Sequence, residues 1–191
     1  MLCVQNSIKA FSQDTTKIYV NTANGDDLSN DGYSTSSPLK TINKAIQKAD
    51  PGETIIVAAG SYDEQITPAK NGKPDSLITF LADTAGQYFS GYVGHVTING
   101  NLSNDYGFNL TDRSYISIIG FTFQYHRQQP IFINAQTSNI TNINIQNCKF
   151  SYWGQNTMAD SSAILIYSNS GYSIKNINIW KNNFNNISET K

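Results

Sequence analysis

Just after Phe123 the chain reads YHRQQ, which places a phenol, an imidazole and a guanidinium at Tyr125, His126 and Arg127. His126 and Arg127 form an electrophilic pair suited to the carboxylate of an acidic sugar. Tyr152 and Trp153 follow Tyr125 and His126 at an interval of 27 residues. Flat aromatic faces take the apolar face of a pyranose, and amides and hydroxyls take its OH groups. Tyr125, His126, Tyr152 and Trp153 are therefore candidate saccharide contacts, joined by Phe132, Asn134 and Tyr167. His126, Arg127 and Asp160 are the candidates for catalysis, but they do not make a complete active site. A glycosidase needs two carboxylates roughly 5–10 Å apart, and this region offers no cluster of acids.

Other reactive-looking groups have plainer readings. Asp112 and Arg113 are neighbours expected to pair with each other or with solvent. The stretch DDLSNDG from Asp26 spaces Asp27, Ser29 and Asp31 like the start of a calcium loop. Pro38, however, stands where an EF-hand loop carries its glutamate. An Asx-rich turn is the better reading, and no metal site or cofactor is expected. Cys148 falls in an inward or bend position and reads as a buried, inert thiol.

The chain that must position these groups has 191 residues, a net charge of −1 and only 14% charged residues, against about 25% in typical soluble domains. Such a surface excludes a basic nucleic-acid face. No run of 18 apolar residues is present, so no helical membrane span is expected. Residues 1–16 read as a leader or a disordered tail, with Ala10-Phe11-Ser12 resembling an export-signal cleavage site.

From Lys17 the organisation changes. KIYVN is a short strand, followed by a loop dense in Gly, Asn, Asp and Ser. Ser37 looks like an N-cap with Pro38 at the first helical position, and Ile42, Ala45, Ile46 and Ala49 follow at helical spacing. Beyond Thr54 everything reads as strands of three to six residues. Three of these segments, SYISIIGFTF, TNINIQNCKF and KNINIWKNNF, share one pattern. They recur at intervals of 27 and 34 residues, the range that marks a solenoid.

A parallel β-solenoid stacks its coils about 4.8 Å apart, so equivalent residues lie over one another. Three apolar files are predicted: Ile116/Ile143/Ile177, Ile118/Ile145/Ile179 and Phe123/Phe150/Phe184. Bends fall at Gly120, Asn147 and Lys181-Asn182, where Gly and Asn tolerate left-handed backbone angles. Stacking then sets Tyr125 over Tyr152 and His126 over Trp153.

The segment from Ile18 to Ile66 is similar to the start of right-handed parallel β-helix proteins of the pectate-lyase-like superfamily. The resemblance lies in a strand, an Asn/Asp/Gly-rich loop, a plugging helix and then Pro51, Gly52, Glu53, Thr54, Ile55, Val57, Gly60 and Tyr62. It covers residues 17–191 and implies an all-β right-handed parallel β-helix with a short N-terminal capping α-helix, read as the front portion of a longer solenoid. By the family's coil order, GFNL, PIFI and AILI line a substrate groove, and the loops leaving the third sheet form one wall. Any catalytic base, and any calcium, would belong to later coils.

The expected function is that of an exported, monomeric β-helix protein at the cell surface or outside the cell. It is read as the front of a polysaccharide lyase-like enzyme acting on or binding an acidic polysaccharide. The alternative is a non-catalytic adhesin-type module in which the coils are a rigid spacer.

Overall fold

The computed structural model describes residues 16–154 and 162–185; the proposed leader or tail, residues 1–16, lies outside them except for Thr16. The described chain winds through three parallel sheets. The first, of six strands, stacks β1 (Lys17–Val20), β2 (Thr54–Ala58), β4 (Ile78–Asp83), β7 (Ile116–Ile119), β10 (Ile140–Gln146) and β13 (Ile174–Trp180). The second runs from β3 (Gly60–Tyr62) through β5 (Val96–Asn99), β8 (Thr122–Gln124) and β11 (Lys149–Ser151) to β14 (Asn183–Phe184). The third contains β6 (Phe108–Asn109), β9 (Ile131–Ala135) and β12 (Ile164–Ser168). Among the described residues every pair of these strands is parallel, and each strand pairs with its counterpart in the next winding. This is a parallel β-helix.

The predicted files stand in register. Ile143 pairs with Ile116 and Ile177, Ile145 with Ile118 and Ile179, and Phe150 with Phe123 and Phe184. The second file extends back through Phe80 and Ile55 to Ile18. Phe123 and Phe150 stack at 5.0 Å, as do Phe150 and Phe184, with rings tilted by only 8° and 7°. Ile116, Ile118, Phe123, Ile143, Ile145 and Phe150 of these files, with Phe108 and Phe121, belong to one continuous core, against which Ile177 packs; Ile179 and Phe184, on the last described coil, are exposed. A buried Phe or Ile of this kind contributes about 1.5–3 kcal/mol by removal from water.

The bends use left-handed residues as expected: Gly120 at φ 82°, Asn147 at φ 55° and Lys181 at φ 54°. Asn182 then reaches back to the preceding coil. Its Nδ2 donates to the Ile145 carbonyl at 2.9 Å, and its Oδ1 accepts from the Cys148 amide at 2.8 Å. The amide therefore braces backbone rather than another stacked Asn. Cys148 is buried, and burial pushes its thiol up to about 11, which makes it unreactive at neutral pH.

The helix starts later than its sequence suggested. It is α1 (Ile42–Lys48), with Thr41 as N-cap accepting from the Lys44 amide at 3.1 Å. Ser37 and Pro38 stay in the preceding loop because Leu39 is drawn inward to bridge Val20, where it is fully buried. Glu64, from the next coil, accepts from the Ile42 and Asn43 amides at 3.0 and 2.8 Å. Burial raises the Glu64 pKa against the pull of those two amides. A seven-residue helix is marginal by itself; here the coil beneath it supplies both the apolar seat and half the cap.

The DDLSNDG loop is a set of Asx turns. Asp26 accepts from the Leu28 and Ser29 amides, and Asp31 from the Tyr33 amide. Asp27 accepts from the Lys40 and Thr41 amides and the Thr41 hydroxyl, tying the loop to the helix start. These carboxylates hold the plug in place.

Candidate functional site

The third sheet alternates as a pleated strand must. In β9, Ile131, Ile133 and Ala135 are buried while Phe132 and Asn134 are half-exposed on the outer face. Register sets Asn109 against Phe132, and then Leu165 against Phe132 and Tyr167 against Asn134 in the next coil. Tyr167 is 54% exposed. The three predicted contacts Phe132, Asn134 and Tyr167 therefore share one face. The Asn134 Oδ1 is buried without a hydrogen-bond partner among the described residues. Asn109 is occupied locally, accepting from the amide and hydroxyl of Thr111.

Tyr106 was missed by the sequence reading. Its ring lies flat on Phe132, at 4.8 Å and 10°, and its hydroxyl reaches toward the Gln128 side chain at 3.4 Å. Burial, and then the Asp105 charge, raises its phenol pKa. No repeat marks this residue: it enters from the β5–β6 connection, which has no aromatic counterpart at that position in the next coil. The only available signal was its place two residues before Phe108.

The turn leaving the second sheet carries the other candidates. Tyr125 and Tyr152 stack at 4.9 Å and 13°, both on left-handed backbone at φ 56° and 53°. The predicted superposition of these two rings is present. That backbone reversal sends the next residue inward. His126 is fully buried, its Nε2 3.2 Å from the Ile98 carbonyl and its ring beside Phe123. Burial pulls its pKa down to about 4, only partly offset by the Ile98 bond. The imidazole is neutral at pH 7 and out of reach of solvent, so the expected exposed electrophile is absent. Trp153, one residue beyond Tyr152, also packs against the core. Of the expected ridge, the two tyrosines remain outside.

Arg127 is half-exposed, with its Nε 3.4 Å from Asp105 Oδ1. That distance is an ion pair without hydrogen-bond alignment, as the same oxygen has no hydrogen-bond partner among the described residues. Asp160 lies outside the described residues. Asp112 and Arg113 do not pair through their side chains. Asp112 instead accepts from the amides of Gln136, Thr137 and Ser138 at 2.9 to 3.1 Å and from the Thr137 hydroxyl. Desolvation is the largest single influence and raises its pKa, but the four bonds together outweigh it and lower the pKa to about 2. Arg113 donates to the Pro68 carbonyl at 2.6 Å. Both residues pin one coil to its neighbours.

The site thus presents two flat aromatic pairs, the exposed Tyr167 and one guanidinium held by one carboxylate. It can stack on and hydrogen-bond a ring-shaped polar ligand. The described residues contain no group of three or more His, Cys, Asp or Glu positioned to hold a metal. No helix among them is long and apolar enough to cross a membrane.

Stacked coils with continuous apolar files define the class, a parallel β-helix. Within that class the chain belongs to the family described as Protein of unknown function (DUF1565), whose model matches residues 23–190. No curated protein matches the sequence. Among solved structures it is similar to GH136 lacto-N-biosidase from Eubacterium ramulus. The selenomethionine derivative gives a TM-score of 0.62 at 14% identity, covering 85% of this chain and 30% of that one. The native protein gives 0.64 at 14% identity, covering 84% and 34%. At that identity the likeness shows the fold, and the chain spans about a third of the length of those proteins.

Proposed function

We propose that this chain is the glycan-contacting part of an exported carbohydrate-active β-helix protein. The observation that carries the reading is the pair of parallel aromatic stacks, Tyr106 on Phe132 and Tyr125 on Tyr152, bordering a face of outward amides and Tyr167. Sugar rings bind against such surfaces through their C–H faces, with amides taking the hydroxyls. The lacto-N-biosidase neighbours support a saccharide ligand on this fold, and the opening motif supports the pectate-lyase-like reading. Arg127 gives the face one cation for an acidic sugar.

The proposal is binding. A lyase would use a base and an electrophile at the sugar carboxylate, and burial of His126 removes half of the pair the sequence offered. Glycan-array screening of the full chain, followed by titration with the best binder, tests the reading. Tyr152→Ala and Phe132→Ala should each weaken binding about 5- to 30-fold with the fold intact, in line with 1–2 kcal/mol per aromatic contact. Absence of any glycan signal, with the chain folded, would favour the spacer module. Incubation with alginate, pectate and chondroitin separates the chemistries: an unsaturated chromophore marks a lyase, and new reducing ends without it mark a hydrolase.

A further inference from the structure

A second concavity lies away from the third sheet, at the corner where the first sheet turns into the second. In most coils this corner is tight, as at Ala58–Gly60 or Ile119–Thr122. Between β4 and β5 it expands into residues 84–95, which stand up as a wall. The wall is built firmly. Asp83, buried at its base, accepts from the amides of Gln87, Tyr88 and Phe89 at 2.7 to 2.9 Å. Phe89 packs on Ile56 and Ala58, and the Gly94 amide closes the loop on the Thr84 carbonyl at 3.0 Å.

Between this wall and the following coils is a cleft of about 400 Å³. Its floor is Ala82, Ile119 and Gly120, and a side chain at residue 120 would meet Ala82 at 3.4 Å. Its polar lining comes from Thr84, His95, Thr122, Asn147 and Lys149. No carboxylate lines it, and the nearby Asp83 charge is spent on three loop amides. The cleft continues along the second sheet past Gln124 and Ser151, sharing His95, Thr122 and Lys149. Lys149 and His95 are exposed, and among the described residues neither carries an ion pair.

We propose that this cleft is a separate site for a carboxylated sugar of the uronate class. The apolar floor takes a ring face, Lys149 and His95 take the carboxylate, and Thr84, Thr122 and Asn147 take the hydroxyls. The firm wall means the site exists before the ligand arrives, so little ordering cost is incurred on binding. This site stands on different residues from the aromatic face and does not depend on it.

Amide NMR titration of the full chain with sodium glucuronate, glucose and sodium acetate tests the assignment. Glucuronate is expected to shift the signals of Gly120, Thr122 and Lys149 at concentrations where glucose and acetate do not. Lys149→Gln should weaken glucuronate binding at least fivefold, and His95→Gln should weaken it by a smaller factor. Lys40→Gln, in the loop before α1 and exposed, should leave it unchanged. Equal shifts from glucose or acetate would overturn the uronate assignment. So would unreduced glucuronate binding by Lys149→Gln and His95→Gln, each with native-like spectra.

Discussion

Two aromatic files rise through this protein only two residues apart in sequence. Phe123 and Phe150 stack inside at 5.0 Å, Phe184 continues the file at 5.0 Å but is half-exposed on the last described coil, and Tyr125 and Tyr152 stack outside at 4.9 Å. The spacing is the same because the coil rise sets it, not burial. What differs is the surroundings. Phe123 and Phe150 are essentially buried while Tyr125 is 36% exposed, so the inner file holds the fold and the outer file is left free to meet a ligand. The lesson is that stacking geometry alone says nothing about purpose in a solenoid; the side of the wall does.

The comparison breaks most visibly on the inside. Phe150→Ala, which empties the middle of the inner file, should lower stability by about 3–5 kcal/mol, measured by urea denaturation. A loss as small as that of Tyr152→Ala would mean that the two files are energetically alike. Next in size is the acid limb contributed by His126. Its folded pKa of about 4 lies below the unfolded value near 6.5, so the unfolded chain binds the proton first. Stability should therefore be full above pH 6.5 and fall by up to about 3 kcal/mol as pH drops to 4. His126→Phe should flatten that limb, whereas Tyr125→Phe, one residue away and outside, should not.

Smaller still is the clamp at Asp112. Asp112→Ala removes three amide partners and a hydroxyl partner from the 136–138 turn and should cost about 1–2 kcal/mol. Because its pKa is lowered to about 2, the carboxylate's contribution is present above pH 4 and lost as pH falls toward 2. Comparison of the variant with the parent across that window reads it directly. The smallest stability effect belongs to Tyr152→Ala, about 1 kcal/mol or less, with its main consequence in glycan affinity. A large loss of stability there would reclassify the outer file as structural.

Much of the fold was legible because a parallel solenoid repeats its demands. Ile at 116, 143 and 177 and Phe at 123, 150 and 184 recur since each inward position meets its own kind one coil away. The outer face of β9 was legible for the same reason, by simple alternation. The site was less so. The ordering of rings at Tyr125 and Tyr152 followed from the repeat, but the direction of His126 and Trp153 did not. Periodicity fails at a turn, where one left-handed residue decides which neighbour goes inside. Tyr106 and the 84–95 wall come from connections of irregular length, which carry no period at all.

The order of residues by itself determined the winding, the three apolar files, the glycine and asparagine bends and the presence of a plugging helix, because each depends on contacts repeated at fixed intervals. Only the tertiary structure decided where that helix begins, since Leu39 is held by its bridge to Val20 and the first turn is capped by Glu64 from the next coil. It also decided that His126 is a core residue and that Lys149 and His95 line one cleft. Such outcomes rest on single, unrepeated contacts between distant segments, and no local pattern records them.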